Sequence, residues 1–404
     1  MVKKQPLILL FFTLLLGASC RDPIFYKISR EVKPLEPRIK GVPTKFVVYD
    51  DGDGYYMYVA AASLHRYKNG GWDNWPSGWV APPGKVFDLA ATTDYLYALV
   101  NPERPEVYRW DGDSGSEWEP VEGYSGSPQS IYGEIDADGI PLLGGKVFLG
   151  ARQGDPSEKG IDYSIFYADD KTSDFTWLNT GGNTGFLTGA ALAGAGGTHF
   201  ISTSGSGAYS WDESAGTTAT RVEDISPNLE GIIWAGGTKV FAFSRGADIY
   251  EITTSTAPSS GTHKGGASYH FTGAVALWKE PLSKPPATPT KGKILLGIRD
   301  SGNYGYVEVP FDLSSGDLDY NTAGGVDLHK PGNAPPSTVT DSSLFDTTLR
   351  PHPVNSIFQA PYSVDPNMVV FAAVQGTGST TNDIDSGVWS YRERDGIWQW
   401  NAEE

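Results

Sequence analysis

The sequence predicts an all-β fold, a seven-bladed β-propeller of four-stranded antiparallel blades. Three observations carry that reading. One short apolar strand recurs seven times: Tyr56-Met57-Tyr58-Val59, Tyr95-Leu96-Tyr97-Ala98-Leu99, Lys146-Val147-Phe148-Leu149-Gly150, Thr198-His199-Phe200-Ile201, Lys239-Val240-Phe241-Ala242-Phe243, Lys293-Ile294-Leu295-Leu296-Gly297 and Met368-Val369-Val370-Phe371-Ala372. Each copy precedes a strand bearing an aromatic: Tyr67, Tyr108, Phe166, Tyr209, Tyr250, Tyr306 and Trp389. Most copies then turn into a fourth strand marked by Trp, as at Trp72, Trp75, Trp118, Trp177, Trp398 and Trp400. The repeat is roughly 40 to 58 residues, the length of one propeller blade. Its 49 glycines and 28 prolines in 404 residues supply the tight turns that so many short strands need.

The N-terminus precedes the repeats and differs from them. Lys3 and Lys4 are followed by an apolar run from Leu7 to Leu16, broken only by Thr13, and then by Gly17-Ala18-Ser19-Cys20. The run is shorter than the ~20 residues that span a bilayer, and it reads as a secretory signal peptide over residues 1–19. Cys20 is the single cysteine of the chain, so the chain forms no internal disulfide. A lone thiol just after small residues is placed for lipidation rather than cross-linking. Leu15-Leu16-Gly17-Ala18-Ser19-Cys20 resembles a bacterial lipobox in the relaxed form of spirochaete lipoproteins. That resemblance implies cleavage before Cys20, a palmitate-type acyl anchor on Cys20 and a place in the cell envelope. Arg21 follows the cysteine where an Asp commonly signals inner-membrane retention, which favours the outer membrane.

Residues 20–43 read as an extended tether. Pro23, Pro34, Pro37 and Pro43 break regular structure, and Arg21, Lys27, Arg30, Lys33, Arg38 and Lys40 outnumber Asp22, Glu31 and Glu36. The propeller domain occupies 44–404, and its last unit, 354–401, contains four strands of its own. Closure is therefore expected through packing of the first blade on the last, unless 24–43 adds a strand. A proline-rich excursion, 281–291, interrupts the sixth unit, and an insertion loop, 321–353, separates units six and seven. The net charge of −17 is carried by the propeller domain, since the leader and tether are basic. An acidic domain repels phosphate backbones, so nucleic acid is excluded as a partner.

Candidate chemistry falls on the face where second strands turn into third strands. A polar residue follows each second strand: Ser63, Asn101, Arg152, Ser204, Arg245, Arg299 and Gln375. Arg152, Arg245 and Arg299 would suit an anionic ligand if they converge at the channel mouth, because guanidinium forks bind carboxylates bidentately. Each also has a nearby acid, Asp155, Asp248 or Asp300, with which it would form an ordinary loop ion pair. Trp79 and Trp234 would stack on sugars if exposed. The acidic runs Asp50–Asp53, Asp111–Asp113 and Asp136–Asp138 lack calcium-loop spacing and sit at hairpin turns. His65, His199, His263, His270, His329 and His352 show no zinc spacing. No metal or cofactor is expected.

The whole build resembles uncharacterised spirochaete-type β-propeller lipoproteins, a resemblance carried by the lipobox and the repeats that brings no catalytic motif. A monomeric, non-catalytic binding or scaffold module is expected, holding a protein or glycan on the loop face. The alternative is a sialidase-like glycosidase acting on an anionic carbohydrate through the arginines. The run Arg394-Asp395-Gly396-Ile397-Trp398 resembles a sialidase Asp-box, although Asp-Gly hairpin turns produce the same pattern.

Overall fold

The second strand of a blade is apolar nearly throughout because it is covered on both faces. In blade 3, Val147 and Leu149 pack toward blade 2 while Phe148 packs toward blade 4. In blade 5, Phe241 and Phe243 face blade 6, and Ala242 faces blade 4. A computed structural model shows this arrangement in every blade. It describes residues 39 and 43–403, apart from segments 73–74, 76, 155–161, 170–173, 194–196, 237–238, 247, 254–258, 267–269, 280–290, 299–304, 314, 319–348, 350–351, 376–385 and 395–396. Cys20, the leader and nearly all of the tether and of the 321–353 loop lie outside the described residues.

The strands form seven four-stranded sheets, each built from four consecutive strands paired antiparallel. The inner strands, in blade order, are Phe46–Asp50, Val86–Ala91, Ser127–Gly133, Gly185–Ala193, Leu229–Gly236, Phe271–Lys279 and Val354–Gln359. The second strands are Tyr55–Ala61, Leu96–Val100, Val147–Gln153, Thr198–Gly205, Lys239–Ser244, Lys291–Ile298 and Val370–Val374, in agreement with the repeat. Every predicted third-strand aromatic lies in a third strand. Among the fourth-strand markers, Trp118 sits just before its two-residue strand, and Trp75 lies beyond Gly71–Trp72, stacked 3.7 Å from Trp79. The helical content of the described residues is one short 3-10 turn, Glu213–Ala215.

Seven apolar clusters fill the seven blade junctions. The largest rings, among them Tyr49, Tyr58, Tyr97, Phe148, Phe200 and Trp110, are almost fully buried there. Burial of a large side chain is worth roughly 1.5–3 kcal/mol, so the ring is held by its junctions rather than by one central core. Among the described residues each blade draws its strands from its own stretch of chain, and the ring closes on packed side chains, Ile39 among them. Phe371 of blade 7 meets Phe46, Tyr67 and Trp72 of blade 1 at 6.1, 4.8 and 5.8 Å between ring centroids. Three hydrogen bonds reinforce the seam: Trp72 Nε1 donates to Glu403 Oε2 (2.6 Å), Tyr67 Oη to Asp365, and the Asn69 amide to the Val364 carbonyl (3.0 Å).

Candidate functional site: a one-ended central channel

Inner strands pair on their outer side only, which leaves one backbone edge of each facing the central channel. Near the start of six inner strands the register slips, inserting extra residues: Phe87, Gln129, Thr188, Glu230, residues 272–274, and Asn355. A bulge bends its strand and re-aims the side chain it carries. All six lie at the same height, on the face where second strands turn into third strands. Together they form a bulged rim at the channel mouth.

Beside the rim, side chains from one blade satisfy inner-strand backbone groups of the next. Ser130 Oγ donates to the Leu187 carbonyl (2.9 Å), Thr188 Oγ1 to Leu229 (3.1 Å), and Thr272 Oγ1 to Val354 (2.5 Å). Asp88 Oδ2 accepts from the Ile131 amide (3.0 Å). Blade 1 pairs without a slip and contributes Lys45 instead. Its ammonium contacts Asp88 Oδ1 (2.8 Å), donates to the Ile131 carbonyl and lies 3.5 Å from the centroid of the Tyr132 ring. Burial lowers the Lys45 pKa, opposed by Asp88. Burial raises that of Tyr132, helped by Asp88 and Glu230.

Below the rim runs a cavity of about 220 Å³, lined by residues of all seven blades, including Ala90, Ala190, Ile232, Trp234, Val275 and Phe358. Its far end is closed by the hairpin of residues 134–146, which joins the first two strands of blade 3. Blades 1 and 2 use only residues 51–54 and 92–95 for the same connection. The hairpin reaches across the ring. Ala137 packs on the blade 5–6 cluster, Ile140 packs on the blade 7–1 cluster, and Lys279 Nζ of blade 6 bonds Asp138 Oδ1 at 2.5 Å. Gly139 is needed at the tip: its φ is +77°, and a Cβ there would lie 2.4 Å from the Phe358 ring.

Hydrogen-bonded acids and bases clamp the hairpin's base to blade 4, with Glu134, His199 and Lys146 buried. Glu134 Oε1 is 2.8 Å from His199 Nδ1, and His199 Nε2 lies 3.5 Å from Glu213 Oε1. The Lys146 amide donates to Glu134 Oε2 (2.8 Å), and its ammonium reaches Glu213 (2.8 Å) and Asp169 (3.4 Å). The hydrogen bond from Lys146 holds the Glu213 carboxyl below its ordinary range. Other buried acids and bases also bond one another, as in Arg66–Asp51 and Lys293–Glu308. Asp51 accepts from Tyr58 Oη as well (2.7 Å), while burial raises its pKa.

The structure distributes the sequence-derived candidates unevenly. Gln375 is bonded to the rim: its Oε1 accepts from Asn355 Nδ2 at 3.1 Å. Asn101 shapes a loop turn with φ +57°, its side chain against Gly84. Arg152 pairs with Ser127 in the second strand of blade 3, and Arg245 is an exposed residue just past the second strand of blade 5. Arg152 thus stands one strand outside the channel wall, whereas the Arg245 backbone bonds Asn228 and Phe271, at the starts of the inner strands of blades 5 and 6. Asp248 bonds Ser244 Oγ (3.0 Å) and His263 (3.4 Å), not Arg245, among the described residues. Arg299, Asp155 and Asp300 lie outside the described residues. Trp79 stacks on Trp75 at a blade junction, and Trp234 lines the channel. The rim and the hairpin floor escaped the sequence reading, although Asp136-Ala137-Asp138-Gly139 marks the turn at the hairpin's tip.

No family model matches this chain, and no curated protein matches it. Solved structures match widely, in 813 chains, so the fold is common and does not select a function. One is titled "YCF48 bound to D1 peptide"; it is 12% identical, with a TM-score of 0.46, covering 88% of this chain and 94% of that chain. The propeller assignment stands on the seven sheets themselves.

Proposed function

We propose that this protein is a lipid-anchored, non-catalytic binding module of a bacterial outer membrane, tethered through Cys20, that holds a segment of a protein partner in the channel mouth. The observation that carries the binding reading is the rim: six bulges at one height surround a cavity with a closed floor. A built rim around a concave, partly apolar cavity is the usual form of a ligand site. The buried acids and bases nearby support a binding role over a catalytic one, because they are bonded to one another and hold the blades together.

The binding test places a photo-crosslinking residue at Asn355 or Gln129 on the rim, and as a control at Trp177 on an exposed outer strand. Crosslinks to one discrete partner from both rim positions, absent from position 177, are expected. Equal crosslinking from all three would remove the mouth as the site. The anchor is tested by labelling cells with a palmitate analogue, with incorporation expected to vanish in Cys20→Ala. Hydrolysis of a sialylated or uronic-acid glycan by the purified chain would replace the binding reading with the glycosidase one.

A further inference from the structure

Glu134 opens the floor hairpin, and its carboxyl group is fully buried. Among the described residues it has no lysine or arginine partner. Its Oε2 accepts from the Lys146 amide, and its two oxygens lie 2.8 and 3.0 Å from His199 Nδ1. The His199 ring, itself buried, packs on Trp211 at 4.8 Å and on Phe148 at 6.2 Å between centroids, with Nε2 turned toward Glu213. The other charged groups around the ring bring no cation to Glu134. The Lys146 ammonium is taken by Glu213 and Asp169. Asp212, which caps the 3-10 turn carrying Glu213, adds another carboxyl group near the ring. Tyr167 stays neutral there, because burial raises the pKa of its phenol. A carboxylate taken out of water without a cation is strongly disfavoured. Glu134 and His199 avoid that state by keeping one proton between them, as carboxylate and imidazolium or as carboxylic acid and imidazole.

We infer that this shared proton is a latch on the channel floor, so that the base of the 134–146 hairpin loosens when rising pH removes it. The proton passes to solvent and leaves a buried carboxylate facing a neutral ring. Glu134 is then drawn toward water, and the Lys146 amide that it holds goes with it. An imidazole in water gives up its proton above about pH 6.5. The closed hairpin therefore binds a proton that the opened one releases, and closure weakens as pH rises. Residues 135–139 line the far end of the cavity, so a loosened base opens the end of the channel that is otherwise closed. The latch is independent of what the mouth receives.

The test is amide hydrogen exchange on the full chain in detergent, at about pH 6 and about pH 9, on either side of the ordinary imidazole range. Rates are corrected for intrinsic exchange at each pH. The reporters are the amides of Glu134, Leu142 and Lys146, all bonded at the hairpin's base, and the second strand of blade 5, Lys239–Ser244, is the reference. Protection at the base is expected to fall roughly tenfold or more between the two pH values, with the reference strand unchanged. Glu134→Gln keeps an oxygen for the Lys146 amide and removes the charge, so its base should be equally protected at both. His199→Gln removes the titrating ring and should flatten the profile as well, which keeps the test decisive if thermal melts show that one variant fails to fold. Flat protection in the native chain overturns the latch, as does a fall that persists in a folded variant. A fall shared by the reference strand also overturns it, because the whole ring is then losing stability. None of these outcomes alters the crosslinking expected at the rim, so the latch and the mouth reading fail separately.

Discussion

The two ends of the channel are built from different materials. The mouth uses mainly hydroxyls and amides, Ser130, Thr188, Thr272 and the Asn355–Gln375 pair, with one ion pair, Lys45–Asp88, among them. The floor uses one hairpin held by acidic and basic side chains, with Glu134, His199, Glu213 and Lys146 at its base and Asp138–Lys279 near its tip. A neutral hydrogen bond contributes about 1 kcal/mol, whereas removing one partner of a buried charged pair costs about 3–5 kcal/mol. The buried base of the hairpin is thus expected to tolerate less change than a single neutral hydrogen bond at the mouth.

The sharpest way to break this contrast is Glu134→Ala. It strips His199 of its carboxylate and leaves the Lys146 amide without its side-chain acceptor, both in buried surroundings. A loss of about 3–5 kcal/mol is expected in urea unfolding. A loss below about 1 kcal/mol would make the two ends equivalent.

Gly139→Val comes next, combining a disfavoured positive φ with a clash on Phe358. It is expected to cost about 1–3 kcal/mol. Limited proteolysis should then cut within residues 134–146 faster than in the native chain, while the blades remain resistant. At the mouth, Thr188→Val keeps the shape and removes bonds to the Leu229 carbonyl and to Ser202 Oγ. About 1 kcal/mol should be lost in the same unfolding assay. Lys279→Ala breaks an ion pair whose Asp138 side chain is 45% exposed, so less than about 1 kcal/mol is expected.

The smallest effect concerns pH. The Asp136 carboxyl is raised above its ordinary value by burial, so the native state binds that proton more tightly than the unfolded chain does. Stability from this site rises as pH falls through the raised folded value, and the gain is complete below the unfolded value of about 3.9. Asp136→Asn cannot titrate. It should be slightly more stable than the native chain at neutral pH, with the advantage shrinking as pH falls toward that value in parallel melts.

The sequence by itself determined the blades. A strand sandwiched between two neighbouring sheets needs apolar side chains on both faces, so Val147-Phe148-Leu149 and Val240-Phe241-Ala242-Phe243 are legible as local runs. The aromatics of the third strands repeat with them, and the count of blades follows. The bulges are invisible at that level, because an extra residue exists only relative to the partner strand that skips it. Gln129 and Glu230 have no local signature that separates them from an ordinary strand start. Arginines after second strands are conspicuous in the aligned repeats, but alignment along the chain does not reveal radial depth: Arg152 lies in the second strand of blade 3, one strand back from the wall. The floor depended on tertiary structure most of all. Asp136-Ala137-Asp138-Gly139 announces a turn, yet its reach across the ring to Lys279 joins residues 141 apart. Only closure of the ring brings those two positions within reach of each other.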